Sequence, residues 1–204
     1  MDEQRIPLCV PWFDEKEVFS LNGRYDKDFG FYITADDYYD DFYNWLPVMF
    51  RQDERDYPFL KPEMLPVTSW EDNVRTRVKK EHWDKLRKYC YAAAGHRCEI
   101  CGKRGDPYIE CHELWTFDSA TKTQKLKKLI ALCKLCHKAH HLGYARRLGI
   151  YNDVLRHMMW VNDWTEKQLD IELDAAWKLW QERSTQKWKL DIDWLFSPGG
   201  YRYV

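Results

Sequence analysis

A chain of 204 residues can hold one medium domain or two small ones, and 45% hydrophobic with 16% aromatic content excludes a disordered polypeptide. No apolar run approaches the roughly 18 residues that span a bilayer, so a soluble protein of the reducing cytoplasm without a membrane partner is expected. The net charge of −1 conceals a segregation: residues 1–72 carry 7 Lys and Arg against 17 Asp and Glu, residues 73–150 carry 18 against 7, and residues 151–204 carry 7 against 9.

In chain order, Ile6, Leu8 and Val10 alternate as a strand, Phe13 to Leu21 reads as a short helix closed by Asn22-Gly23, and Phe29 to Thr34 is a second strand. Asp36 to Trp45 reads as a second helix stopped by Pro47, giving an acidic β-α-β-α domain over residues 1–47. Its pattern Val10-Pro11, Leu21-Asn22-Gly23-Arg24-Tyr25-Asp26, Phe31-Tyr32-Ile33-Thr34 and Trp45-Leu46-Pro47 resembles a small domain of unknown function found beside plasmid primases. That resemblance implies a nucleic-acid-processing context and no chemistry. The acidic module is also a candidate docking surface for a protein partner, or a DNA mimic, although an ordinary solvated face accounts for such a charge run more simply.

Pro47, Pro58, Pro62 and Pro66 mark a linker over residues 48–68. Ser69, with Asp72 three residues on, reads as a helix cap, and the helical stretch behind it runs to Ala94 before Gly95. Tyr108 to Trp115 should be a strand, Thr121 to Lys128 a polar basic loop, and Lys134 to Leu148 one helix. This central part, residues 69–150, is followed over 151–204 by helices at Asn152–Val161 and Thr165–Gln181 and by an alternating strand from Trp188 to Trp194, a Trp-rich extension packed on it.

Two C-x-x-C pairs carry the most chemistry: Cys98-Glu99-Ile100-Cys101 and Cys133-Lys134-Leu135-Cys136. Each knuckle aims two thiolates at one point, and two knuckles complete a tetrahedral S₄ site suited to structural Zn²⁺. Seven cysteines, an odd number, without a secretory signal argue against a disulfide framework, leaving Cys9, Cys90 and Cys111 as spare thiols. Between the knuckles lies Glu110-Cys111-His112-Glu113, and behind them His137 and His141. The excess positive charge coincides with this region, the footprint of a phosphate-binding surface.

Arg97-Cys98-Glu99-Ile100-Cys101-Gly102, Glu110-Cys111-His112-Glu113-Leu114-Trp115 and Ala131-Leu132-Cys133-Lys134-Leu135-Cys136-His137 with His141-Leu142-Gly143 resemble the zinc-containing branch of HNH nucleases. The resemblance implies an α+β protein whose central domain is a ββα-metal fold on a treble-clef-like zinc site. It also implies an enzyme that hydrolyses DNA phosphodiester bonds with Mg²⁺ or Mn²⁺. In that family two ligands hold one cation, a strand-end histidine activates water and an asparagine orients that histidine. Carried over, His112 matches the first metal ligand, Glu113 the position of the general base, Lys128 that of the asparagine, and His137 the second metal ligand. His141, a helical turn later, can join them. Glu113 is a weak base at an unperturbed pKa of about 4.3. With a one-residue shift His112 is instead the base, and Glu110 or Glu113 a ligand. Lys128, with Lys125 and Lys127, is a candidate phosphate contact. The rival reading is a catalytically inactive zinc module of HNH type that binds nucleic acid, DNA foremost, or a protein partner.

Overall fold

A computed structural model describes residues 4–51, 60–105 and 108–197; part of the expected proline-rich linker, with Pro58, lies outside them. The architecture is mixed α+β, with an N-terminal β/α region and a C-terminal region of sheet and helices. In the first, β1 (Arg5–Pro7) and β2 (Arg24–Asp26) flank β3 (Gly30–Thr34), both antiparallel to it, with α1 (Glu15–Ser20) between β1 and β2. Ile6, Leu8, Val10, Val18, Ile33, Phe42 and Trp45 form its core.

This region departs from β-α-β-α in two places, and an aspartate accounts for each. Asp26 Oδ1 accepts the N–H groups of Asp28 and Phe29, 2.9 and 2.7 Å away, and this turn folds Arg24–Asp26 back onto β3 as an extra strand. Asp37 accepts the N–H and hydroxyl of Thr34 and pairs with Arg24, which holds the chain in a turn where a helix was expected. Only Tyr39–Trp45 then winds, as a 3₁₀-helix.

The larger core is built on an antiparallel hairpin, β4 (Glu110–Asp118) and β5 (Thr123–Leu132), with β6 (Lys189–Asp191) added parallel to β5. The expected basic loop at Thr121–Lys128 is mostly strand. Gln124 and Leu126 are buried while Lys125 and Lys127 are exposed, the period of two that a half-buried strand requires. The final strand is shorter than expected because Asp191 Oδ1 accepts the Asp193 N–H at 2.9 Å and turns Asp193–Phe196 into a 3₁₀ segment.

Helices α2 (Val74–Arg77) and α3 (Lys80–Ala93) replace the single helix expected after Ser69. The cap is Asn73, in a reciprocal box with Thr76, and Val78 in extended conformation separates the two helices. After β5 come α4 (Lys134–Ala139) and α5 (Leu142–Arg147), broken at His140–His141 where one helix was expected. α6 (Tyr151–Asn162) and α7 (Glu166–Ser184) follow, the latter capped by a Thr165–Gln168 box. α3 packs on the hairpin, and α4, α5 and α6 pack on one another.

The acidic region is joined to the hairpin region through the first cysteine knuckle. The N–H groups of Val48 and Met49 donate to the carbonyls of Glu99 and Ile100 at 2.8 and 3.0 Å. The linker's later part is also seated: Leu60 is fully buried, and the Asn162 side chain accepts its N–H and donates to its carbonyl. No described helix is long and apolar enough to cross a membrane.

Candidate metal centres

The first knuckle is a tight turn whose arms are bridged between Arg97 and Arg104. Within it Gly102 donates to the Cys98 carbonyl at 2.8 Å and Cys98 donates to that of Lys103 at 2.9 Å. Glu99 fastens the turn to β5: its N–H donates to the Ala131 carbonyl, and its carboxylate accepts the Ala131 N–H and the Lys128 ammonium. Cys133 is the N-cap of α4, so Cys136 stands in the first helical turn facing the knuckle.

The four sulfurs of Cys98, Cys101, Cys133 and Cys136 lie within 4.8 Å of one another, and all four residues are buried free thiols. A tetrahedral ion with bonds of about 2.3 Å to sulfur needs sulfurs about 3.8 Å apart. The Cys101–Cys133 separation is 3.7 Å. Burial pushes the Cys98 and Cys136 thiols well up, while the surrounding thiols, with His157, draw Cys133 down. Four clustered, buried thiols suit a thiophilic divalent cation. The cluster is thus capable of coordinating a metal such as Zn²⁺, consistent with a zinc-binding module. His157 on α6, buried, supports it with Nε2 3.1 Å from the Cys136 sulfur.

The next residue of α4, His137, points roughly 100° away from Cys136, toward β4. There the period of two puts Glu110 and His112 on one face of the strand. The ring nitrogens of His112, His137 and His141 fall within 4.8 Å of one another. Their rings stand 4.8 to 5.1 Å apart centre to centre. Glu110 holds His137 by its Nδ1 at 2.8 Å and Lys138 at 3.0 Å. This leaves His137 Nε2 for the cluster. Burial raises the Glu110 carboxyl, but His137 and Lys138 outweigh it and hold the group at about 2. Burial and the neighbouring rings push His112 well below the ordinary histidine value, and burial with His137 lowers His141 to about 3. Histidines held neutral in this way are ready to donate lone pairs to a cation.

His112, His137 and His141 are therefore brought together, although the break between α4 and α5 means that His141 reaches the cluster as the N-cap of α5 and not along one continuous helix. Glu113 is not on their face. Alternation turns it to the other side of β4, toward the start of α2, where it accepts the N–H groups of Val74 and Arg75. Burial pushes this carboxyl up to about 7. Lys128 is taken up by Glu99, with Nζ and Oε2 3.2 Å apart, and Lys125 stands 4.0 Å from Asp191. Lys127 is exposed and contributes charge near Glu63.

A cleft of about 610 Å³ opens onto the histidines. Trp70, Trp83, Trp177 and Tyr144 supply aromatic walls, and Arg75 and Arg147 supply positive charge. His140, Glu63 and His157 were not among the candidates drawn from the sequence. Glu110 was visible as the residue two before His112. His157 and Glu63 reach the clusters from distant segments, and no local signal marks them. No protein-family model, curated protein or solved structure matches the chain.

Proposed function

We propose that this chain is a zinc-stapled module of HNH type that binds nucleic acid, with Zn²⁺ on Cys98, Cys101, Cys133 and Cys136. The observation that carries the reading is the cleft: three clustered histidines at its floor between aromatic walls and arginines. Aromatic faces stack bases, arginines meet phosphates, and a divalent ion on the histidines offers phosphate oxygens a further ligand position. The order of the β4–β5 hairpin and then α4 is compatible with this reading.

The parts that catalysis requires are displaced, which favours binding over cleavage as the first reading. Glu113 lines the cleft but leaves β4 on the other side from His112 and is engaged by the N–H groups of Val74 and Arg75, and Lys128, at the asparagine position, is paired with Glu99. A metal-dependent DNA endonuclease is the second reading. It is favoured by Glu113 itself, a cleft carboxyl near 7, the range in which a general base works best.

The test is binding of fluorescent single-stranded and duplex DNA across a salt series, with supercoiled plasmid incubated in Mg²⁺ or Mn²⁺ alongside. Affinity should fall steeply with salt, and Lys125→Ala with Lys127→Ala should lower the slope by about 0.7–0.9 for each phosphate that is no longer neutralised. Binding without nicking supports the first reading. Nicking abolished by His137→Ala at unchanged zinc content supports the second. Salt-independent binding, or none, rejects both.

A further inference from the structure

Beside the three-histidine cluster lie two further donors that neither reading uses, Glu63 and His140. Glu63, from the linker between the acidic region and α2, reaches β4, where its carboxyl accepts the Trp115 backbone N–H. His140 sits at the break between α4 and α5 and is only 5% exposed. Both of its ring nitrogens lack a hydrogen-bond partner, and a buried imidazole left in that state costs free energy unless something fills the position. Its Nδ1 stands 3.6 Å from Glu63 Oε2, beyond hydrogen-bonding range. Its ring stacks on His112 at 4.4 Å with an interplanar angle of 21°, so the two rings present their edges in parallel. One donor atom from each of Glu63, His112 and His140 falls within 4.8 Å of the other two.

We propose that Glu63, His112 and His140 form an inner cation site for a divalent first-row transition metal, distinct from the four-cysteine cluster and from the His137–His141 position. Two imidazoles with one carboxylate are the donor set of Zn²⁺, Mn²⁺, Fe²⁺ and Co²⁺ sites; Mg²⁺, which prefers oxygen ligands, is excluded by the same chemistry. Each donor comes from a different segment: linker, β4 and the α4–α5 junction. An ion there cross-links the linker to the hairpin. A neutral imidazole has one lone pair, so His112 serves either the inner position or the outer one with His137 and His141. The two positions compete for it, and a transition metal in the inner site withdraws His112 from the cleft. The inference stands independently of nucleic-acid binding.

The probe is Co²⁺ added to protein whose four-cysteine cluster is already loaded with zinc, read by the d–d absorption of the bound ion. The absence of a thiolate-to-cobalt charge-transfer band shows that the zinc is not displaced. A His137→Ala, His141→Ala variant should still bind one equivalent, because the inner donors are intact. Adding Glu63→Gln and His140→Ala to that variant should weaken binding at least tenfold, with zinc content and thermal transition unchanged. Loss of all Co²⁺ binding in the first variant, or no weakening in the second, overturns the proposal. Should the variants fold poorly, anomalous diffraction from wild-type crystals soaked in Co²⁺ decides it. A peak between Glu63 and His140 supports the site, and a peak confined to His137 and His141 refutes it.

Discussion

Gly95→Ala tests how tightly the acidic region is joined to the rest of the molecule. Gly95 ends α3 with φ +56°, a left-handed conformation that costs an L-residue about 1–2 kcal/mol. A β-carbon built there lies 2.6 Å from the Val10 carbonyl oxygen and 3.1 Å from the Val10 nitrogen, both of them backbone atoms that cannot swing aside. Relieving such an overlap costs about 1–3 kcal/mol more, so a destabilisation of about 3 kcal/mol is expected. At about 2–4 °C per kcal/mol for a chain of this size, the melting temperature should fall by roughly 10 °C. The assay is calorimetry with Gly143→Ala as control, since a β-carbon at Gly143, inside α5, has nothing within 4 Å. That control should be neutral or raise stability by about 0.5–1 kcal/mol, the ordinary gain of alanine over glycine in a helix. If Gly95→Ala melts within about 2 °C of the control, α3 does not pack against Val10 at this distance.

Cys98→Ala, or chelation, should abolish the cooperative thermal transition of the hairpin region, because four buried thiols left without an ion no longer tie the first turn to α4; calorimetry with and without chelator checks this. His157→Ala should lower affinity for the ion in the four-cysteine cluster by about 10- to 100-fold while leaving its stoichiometry at one, measured by competition with a chromophoric chelator. Asn162→Ala strips the partners from both the N–H and the carbonyl of buried Leu60, so it should cost about 2–4 kcal/mol and deprotect the Leu60 amide in hydrogen exchange; unchanged protection would show that Asn162 does not hold the linker.

Much of this molecule is legible in its residues because the signals are local. Cysteine spacing alone places four thiols at one point, and the period of two places Glu110 and His112 on one face of β4. The end of α3 at Gly95 and the capped start of α7 at Thr165 follow from backbone and capping chemistry within a few residues. Tertiary structure decided what sequence-neighbour reasoning cannot. The hydrophobic alternation of β5 was obscured by its lysines, and the strand is settled by pairing with β4. The helix expected over residues 134–148 breaks at His140–His141, and that break brings both rings to the cleft, two adjacent residues falling in different donor groups. Adjacent residues on one strand face opposite ways, so Glu113, beside His112 in sequence, is spent on α2. Glu63 reaches the site across some fifty residues of chain, and His157 reaches the cysteines from α6. Donors of that kind leave no periodic trace, because the free energy that positions them comes from packing between segments and not from the residues beside them.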